Sequence, residues 1–452
     1  ADKGSPTAQF SIPATGTIDA SLGLPVASWE QPFNEHAVCS APVQTVISGI
    51  NPSYDTQYVP GSAFSAFSGD IAGLDAESLG DTIWAEEQGG ASDHFIGQVG
   101  ASYDGAPTAK TVTSFGDIRG LSPEEPTKEG GYYSASTAYF GRINDLSPAD
   151  GDQTMRTYAV ALASPLPRIE MPVGTGDVVT LVPFGKSVRD LSIDATQGEF
   201  QPTNTIVDFY VEKIANTSAA NLDMSQNGGR PYGSFRINFE DVEQGADHDM
   251  DAIVRYEIFM TSGGQIQVDL SSEYAAGGIE QHLGYVISGT TRDGIYLDVR
   301  DADTAIGDAI PYFLDTPPGT DAGDCALGSP PAACSNVLPQ SSSRTFQPSG
   351  VAAATLLKDP LWYAAKWGGF DDSNGNDIPD VDSEWDRDLD GTPDNYFLVT
   401  NALDLGPQLR NAFDQILSTT SSASSVATNS TRLDTETLIY QARFRSDDWT
   451  GQ

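Results

Sequence analysis

Basic residues are scarce in this chain of 452 residues. It carries 23 Lys and Arg against 63 Asp and Glu, which gives a formal net charge of −40. Such acidity excludes a simple binder of nucleic acid or of anionic membranes, because both partners are polyanions. A saline habitat, bound divalent cations and an acidic secreted surface each explain the charge, and the sequence leaves all three open.

Long apolar runs and cysteines are also scarce. No apolar run approaches eighteen residues, so no transmembrane helix is expected. The opening ADKGSPTAQF is typical of a mature start after processing. Among three cysteines, Cys325 and Cys334 have a spacing that suits a local disulfide in an oxidising compartment. Cys39 is left over, either free and buried or paired outside the chain. We therefore expect an exported protein.

Signatures of catalysis are missing. The four histidines show no HExxH or other zinc spacing, and no GxSxG nucleophile elbow occurs. Gly174-x-Gly176-x-x-Val179 lacks the third glycine of a dinucleotide-binding loop. We expect neither enzymatic activity nor an organic cofactor. A carbohydrate-active enzyme stays open as an alternative, because sequence cannot give the separation of paired carboxylates.

Acidic residues are concentrated at 371–395, DDSNGNDIPDVDSEWDRDLDGTPDN, where two similar frames follow one another. Oxygen side chains at positions 1, 3, 5 and 9, with the carbonyl at position 7, let a short loop surround a hard cation. Loose coordination by many oxygens favours calcium over magnesium, so we predict two calcium ions. The predicted ligands are Asp372, Asn374, Asn376, Ile378 (carbonyl) and Asp380 in the first frame, and Asp386, Asp388, Asp390, Thr392 (carbonyl) and Asp394 in the second.

Neither frame is an ordinary EF-hand. Position 12, where a bidentate Glu is usual, is Ser383 in the first frame and Phe397 in the second. Asp382, Glu384 or a residue from elsewhere must therefore complete each shell. Proline at position 8 of both frames favours an extended loop, similar to the tandem calcium loops of thrombospondin-type repeats. A merely solvated acidic loop is the alternative, but scattered acids seldom repeat this spacing twice.

A second acidic cluster lies upstream. Asp247, Asp249 and Asp251 alternate along the chain and would share one face of a strand. They are a candidate for a further cation site. The favoured interpretation is a solvated turn before the strand at Ile253, because no glycine-bearing loop follows to wrap an ion.

Strand patterns dominate from residue 166 onward, which predicts an α+β fold with β-structure dominant. Strands are expected at 43–48, 154–162, 178–184, 206–214, 233–239, 253–260, 265–270, 284–288 and 438–444. Helices are expected at 131–140, 351–370 and 405–417. Residues 1–36 look like an extended arm, and residues 316–350 like a long loop.

Several segments are long and unusual: LLKDPLWYAAKWGGFDD, SEWDRDLDGTPDNYFLVTN, IYQARFRSDDWTG and, upstream, GGRPYGSFRINFEDVEQGADHDMDAI and INPSYDTQYVPGS. They resemble the PilY-type proteins, which are type IV pilus biogenesis factors and tip-associated adhesins of Gram-negative bacteria. The resemblance runs patchily from about residue 40 to the end of the chain.

The resemblance implies an adhesive and structural role in type IV pili, with export through the periplasm and with pilus subunits or surface receptors as partners. It also implies a partial von Willebrand A-like region at the N-terminus and a β-propeller that would follow Gln452. No DxSxS metal motif occurs, since Asp19-x-Ser21-x-Gly23 is a poor match, so that metal site is not carried over.

Three parts are therefore expected. Residues 1–165 would hold the arm and the partial von Willebrand A-like region, and residues 166–350 a β-rich domain with the disulfide loop. Residues 351–452 would form a helical calcium-loop module in which calcium locks the flanking helices against the last strand. An alternative function stays open: a self-assembling extracellular filament subunit, whose N-terminal arm adds a strand to the next copy.

Overall fold

The computed structural model describes residues 42–420, except 53, 70, 148–150, 163–166, 175–176, 189–202, 242–249, 277–279, 304–311, 327 and 353, together with the backbone of 426–428 and 439–441. The expected N-terminal arm, Cys39 and most of the expected strand at 438–444 lie outside the described residues.

β-Strands dominate the described part of the chain, which confirms a β-dominant α+β fold. The strands are β1 (Val43–Gly49), β2 (Ser92–Val99), β3 (Ser102–Val112), β4 (Ile118–Arg119), β5 (Arg156–Leu162), β6 (Ile169–Pro172), β7 (Val178–Ser187), β8 (Thr205–Ala215), β9 (Tyr232–Glu240), β10 (Ala252–Met260), β11 (Ile266–Ala275), β12 (Gln281–Ser288), β13 (Gly294–Arg300), β14 (Ser341–Phe346), β15 (Tyr396–Val399), β16 (Val426–Thr428) and β17 (Ile439–Gln441). The α-helices are α1 (Ala76–Gln88), α2 (Tyr133–Ile143), α3 (Pro360–Gly369), α4 (Asp382–Trp385) and α5 (Leu405–Thr420).

The chain divides into two compact units. The larger unit contains Ser48–Thr137 and Ala161–Tyr363, and the smaller unit contains Ala1–Ile47, Ala138–Val160 and Ala364–Gln452. The smaller unit is thus assembled from segments that lie far apart in the sequence.

Two antiparallel sheets share one core in the larger unit. One has five strands in the order β14–β11–β10–β9–β8, and the other has four in the order β13–β12–β7–β6. Along β10, buried and half-buried residues alternate, as expected for a strand with one face on a core. Side chains of both sheets, such as Ile237 and Tyr256 from one and Leu181 and Ile287 from the other, meet in a single apolar cluster. The two sheets therefore form a β-sandwich.

Helix α1 and a three-stranded sheet, β3–β2–β4, belong to the same unit. The Asp75 carboxylate accepts the Ser78 N–H at 3.1 Å and caps the helix. Gly80, in the middle of the helix, faces the backbone at Gly116, and a Cβ at Gly80 would lie 2.7 Å from the Gly116 nitrogen. A close approach of two backbones thus explains a glycine that weakens the helical signal of the sequence.

A buried ion pair crosses the sandwich of the larger unit. Arg344 Nε donates to Asp298 Oδ1 and Oδ2 at 2.7 and 2.8 Å. The hydroxyls of Thr316 and Tyr285 also donate to this carboxylate, at 2.8 and 3.2 Å. Burial raises the pKa of Asp298, and Arg344 acts against that rise. The carboxylate therefore depends on its partners to remain charged inside the protein.

A second buried carboxylate, that of Glu124, accepts hydrogen bonds from neutral donors. Glu124 is 7% exposed, and it accepts the Ile206 N–H and the Asn51 side-chain amide, each at 3.3 Å. Burial raises the pKa of Glu124 to about 7. Its charge state should therefore change near neutral pH.

The smaller unit contains a three-stranded sheet in the order β1–β5–β15. Tyr158 and Val160 of β5 and Phe397 and Val399 of β15 pack in one cluster with Ala412 of α5. Leu405, Leu409 and Ile416 of α5 contact the same cluster. The amphipathic spacing predicted for 405–417 thus places one face of α5 on this sheet.

Two expectations from the sequence need correction. The expected loop at 316–350 contains β14, whose serine-rich residues Ser341–Phe346 pair antiparallel with β11. The expected helix at 351–370 begins only at Pro360, where Asp359 Oδ1 accepts the Trp362 N–H at 3.0 Å. Sheet pairing overrides poor strand propensity in the first case, and an Asp–Pro start fixes the helix boundary in the second.

Candidate metal centre

The acidic segment 371–395 connects α3 to β15 within the smaller unit. Helix α4 separates the two frames and leaves each frame as an irregular loop. Because α4 has only four residues, both loops lie close together in the smaller unit. Arg156 of β5 donates to Asp371, which places the segment next to the β1–β5–β15 sheet.

Asp372, at position 1, organises the first frame. Its carboxylate accepts the backbone N–H groups of positions 4, 5 and 6 at 2.7, 3.2 and 3.1 Å. Asp380, at position 9, accepts the side-chain amides of Asn374 and Asn376 at 2.9 and 3.0 Å. The side chains at positions 1, 3, 5 and 9 therefore belong to one compact loop.

Asp386 plays the same part in the second frame. It is 3% exposed, and its carboxylate accepts the N–H groups of Asp390 and Gly391 at 3.1 and 2.7 Å. Asp390 in turn accepts the Thr392 N–H at 2.7 Å. One carboxylate oxygen each from Asp386, Asp388 and Asp394 lie within 4.8 Å of one another. Positions 1, 3 and 9 thus converge.

The two frames share an unusual backbone. Position 4 is left-handed in both, at Gly375 (φ 77°) and Leu389 (φ 60°), and so is position 6, at Asp377 (φ 61°) and Gly391 (φ 81°). A left-handed conformation costs a residue with a Cβ roughly 1–2 kcal/mol. Each frame has glycine at only one of the two positions, yet both adopt the same turn. The spacing of the acids therefore corresponds to a repeated loop structure.

The electrostatics of the two frames differ. Repulsion from Asp390 is the main cause that raises the pKa of Asp388, with partial desolvation and Asp386 adding to it. Desolvation also acts to raise the pKa of Asp372, but backbone N–H groups outweigh it and hold that pKa below its usual value. The second frame therefore concentrates negative charge that a cation would neutralise.

The sequence analysis did not identify two arginines that lie beside the frames. Arg387, at position 2 of the second frame, and Arg156 of β5 both donate to Asp371, which precedes the first frame. Arg387 Nη1 also lies 3.0 Å from Asp394 Oδ2. Desolvation acts to raise the pKa of Asp371, but the two guanidinium groups hold it below its usual value. Arg387 was visible within the acidic run, whereas nothing local pointed to Arg156.

Polar anchors fix the first frame and the C-terminal end of the segment. The Tyr139 hydroxyl donates to the Asp377 carbonyl at 3.0 Å. The buried Asn395 amide donates to the carbonyls of Thr157 and Gly369 at 3.2 and 3.0 Å. The sequence analysis missed these anchors too, since each joins residues that are distant in the chain.

The residues expected to complete the shells have different surroundings. Glu384 is buried, and its Oε1 accepts the N–H and the hydroxyl of Ser373 at 2.8 and 2.6 Å. It thereby ties α4 to the first frame. Asp382 is exposed, and Phe397 belongs to the apolar cluster on α5. Phe397, at position 12 of the second frame, therefore packs in the hydrophobic core and does not supply a ligand oxygen from its side chain.

The remaining predicted residues lie in the larger unit. Asp247 and Asp249 are outside the described residues, whereas Asp251 is buried and accepts the Asp241 N–H at 2.8 Å. The cation hypothesis for this cluster stays a prediction. Cys325 and Cys334 form a disulfide, with their Cα atoms 5.4 Å apart.

The donors of both frames fit calcium. The first frame offers two carboxylates, two amide oxygens and a backbone carbonyl, and the second offers four carboxylates and a carbonyl. All are hard oxygen donors. The convergence of three carboxylates within 4.8 Å gives the second frame the higher charge density at one point.

A β-sandwich and a double acidic loop define a β-rich protein with a candidate cation-binding segment. Comparison with known proteins finds two matching family models, described as "PilY1 homolog, beta-sandwich" at residues 171–339 and "PilY1 homolog, second domain" at residues 1–141. A "Type IV pilus biogenesis factor PilY1 homolog" from Xylella fastidiosa is 44% identical over 476 aligned residues, which cover 99% of this chain. The chain belongs to the PilY1 family, and the resemblance seen in the sequence is confirmed.

The chain spans 31% of the length of that relative. No solved structure matches this chain. Within the described residues, none of the helices has both the length and the apolar character needed to cross a bilayer.

Proposed function

We propose that this protein is a calcium-stabilised structural protein of the type IV pilus system, which acts by binding and assembly and not by turnover. The 44% identical relative, a type IV pilus biogenesis factor PilY1 homolog, supports the pilus association. The observation that carries the calcium proposal is the repeated loop: two frames with the same left-handed positions, one of which gathers three carboxylates within 4.8 Å.

Calcium would supply charge neutralisation and a fixed backbone. Asp386, Asp388, Asp390, Asp394 and the Thr392 carbonyl would hold one ion. Asp372, Asn374, Asn376, Asp380 and the Ile378 carbonyl would hold the other. The protein's own anchors would then transmit the order of the loops to α3 and β15, because Asn395 already links the end of the segment to Gly369.

The family relationship also supports an exported, surface-located protein with pilus subunits or surface receptors as partners, and an adhesive role. We propose further that the partial von Willebrand A-like region implied by the resemblance lies within residues 1–165.

Thermal unfolding with and without calcium tests the proposal. Calcium should raise the melting temperature of the smaller unit, because a ligand at 100 times its Kd stabilises by about 2.7 kcal/mol. EDTA should reverse the gain and open residues 371–395 to protease. Asp388→Asn should weaken the response, whereas Asp414→Asn, an exposed change on α5, should not. Identical unfolding and cleavage with calcium and with EDTA would rule the structural role out.

A further inference from the structure

Three basic side chains lie side by side on the four-stranded sheet of the larger unit. Lys186 on β7, His282 on β12 and Arg300 on β13 are direct partners in the antiparallel register, so their Cβ atoms are about 4.5–5.5 Å from one neighbour to the next. The adjacent Leu283 and Val299 belong to the core between the two sheets, which places the basic row on the opposite face. All three side chains are nevertheless buried, at 0%, 1% and 8% exposure. The sheet thus encloses a row of basic groups (the Lys186–His282–Arg300 row).

A neighbouring carboxylate orients the middle member of the row. Asp315 Oδ1 lies 2.7 Å from His282 Nδ1, and Asp315 Oδ2 accepts the Tyr312 N–H at 2.8 Å. Because a carboxylate only accepts, Nδ1 carries a proton and the ring is fixed with Nε2 on its other side. Nε2 is buried and has no hydrogen-bond partner among the described residues. His282 therefore presents a second, unused polar atom inside the protein.

Arg300 is a buried cation whose contacts are neutral. Its Nε donates to the Leu338 carbonyl at 2.9 Å. Its Nη1 is buried and meets no acceptor in the described part of the chain, where no carboxylate forms an ion pair with this guanidinium. A buried charge is costly unless it is paired and its hydrogen bonds are made. Next to His282, Arg300 thus offers a donor to an acceptor that the described side chains do not supply.

The electrostatics of the row favour an anion as that acceptor. Lys186 Nζ donates to the Gly105 carbonyl at 3.2 Å, and burial lowers the pKa of Lys186 to about 7, with Asp104 acting against this shift. A negative charge beside the row would offset such desolvation, because it favours the charged form of a base. A water molecule could accept the same hydrogen bonds but brings no counter-charge. A metal ion on His282 would be repelled by the neighbouring Arg300.

We propose that the Lys186–His282–Arg300 row binds a small inorganic anion of the size and charge of chloride, which accepts from Arg300 Nη1 and from the protonated Nε2 of His282. Burial of all three side chains excludes a peptide or a polymer as the ligand. The anion supplies the counter-charge of Arg300, while Asp315 balances the imidazolium through Nδ1. It thereby strengthens the pairing of β12 with β13. This site lies in the larger unit and does not depend on calcium.

Thermal unfolding of the full chain in sodium chloride and in sodium gluconate, at equal ionic strength and with EDTA in both buffers, tests the proposal. Chloride should raise the melting temperature by about 2–5 °C over gluconate, because a ligand that binds only the folded state stabilises it. Arg300→Met keeps an apolar stem without the guanidinium and should abolish the difference. Arg168→Met removes a guanidinium from the same unit at a side chain 53% exposed, and it should leave the difference unchanged.

Arg300→Lys keeps the charge but lacks Nη1, and it provides the test if Arg300→Met does not fold. The chloride concentration that gives half of the effect should rise at least about tenfold in Arg300→Lys. Amide exchange places the effect, since chloride should slow exchange in β12 and β13. Equal melting temperatures of the wild type in the two salts, or an unchanged chloride response in the Arg300 variants, would overturn the proposal. Protection by chloride that lies outside β12 and β13 would also overturn it, since the anion would then bind elsewhere.

Discussion

The Tyr139 hydroxyl in α2 donates a hydrogen bond of 3.0 Å to the carbonyl of Asp377, the left-handed residue at position 6 of the first frame. Tyr139→Phe removes this bond and leaves the ring in place. We expect a loss of about 1 kcal/mol in the stability of the loop, seen as faster amide exchange at 372–380. Tyr210→Phe, at a tyrosine 65% exposed, is the matched control and should change nothing. Unchanged exchange in Tyr139→Phe would show that the loop does not need this anchor.

Gly369, at the end of α3, has no room for a side chain. A Cβ there would lie 2.0 Å from Asn395 Nδ2 and 3.0 Å from the Thr157 carbonyl. Gly369→Ala should therefore destabilise the protein by about 1–3 kcal/mol in urea unfolding. Gly406→Ala on α5 meets no atom within 4 Å and should be neutral or slightly stabilising. Equal stability of the two variants would contradict the packing described here.

The Asp298–Arg344 pair is predicted to couple strongly. Arg344→Leu leaves a buried carboxylate without its cation and should cost about 3–5 kcal/mol in denaturant unfolding. Adding Asp298→Asn should recover part of this loss, because the amide carries no charge and its oxygen can still accept from Thr316, which donates to Asp298 Oδ1. Additive losses in the double variant would mean that the two side chains do not interact.

Glu124 should make stability depend on pH near neutrality. Its pKa is raised from 4.5 to about 7 in the folded protein, so the folded state binds a proton that the unfolded state has lost in this range. The stability it contributes is fully present below pH 4.5 and is lost as the pH rises through about 7.

Glu124→Gln should remove that slope, which is up to about 1.4 kcal/mol per pH unit. Urea unfolding of the wild type and the variant at several pH values between 5 and 8 (roughly the window of the two pKa values) measures it. Parallel pH profiles for the two proteins would count against a protonated Glu124.

Local pattern was sufficient for many elements of the fold. The alternation at 253–260 predicted β10, and the apolar spacing at 405–417 predicted α5. Helix α1 was not predicted, because Gly80 weakens the helical pattern of the sequence and its reason, the close contact with Gly116, is visible only in the structure. The capping residues Asp75 and Gly89 were the signal that could have indicated this helix. Serine-rich β14 has poor strand propensity and is held by its pairing with β11.

The residues of the candidate site likewise fall into those that local sequence predicted and those that only the tertiary structure shows. The frames themselves were readable from the spacing of Asp372 to Asp394, because a cation loop takes its donors from one short segment. Arg156 and Tyr139 approach the loops through the assembly of residues 138–160 with 364–452, a long-range relation that no local pattern contains. The calcium ligands and the three expected domain boundaries stay predictions.

Native mass spectrometry of the whole chain, before and after EDTA, tests the central claim most directly. Two calcium ions are expected on the wild type and none after EDTA. Asp388→Asn should keep the ion of the first frame and lose the other. A wild-type mass that contains no calcium, and does not change when calcium is added back, would contradict the account.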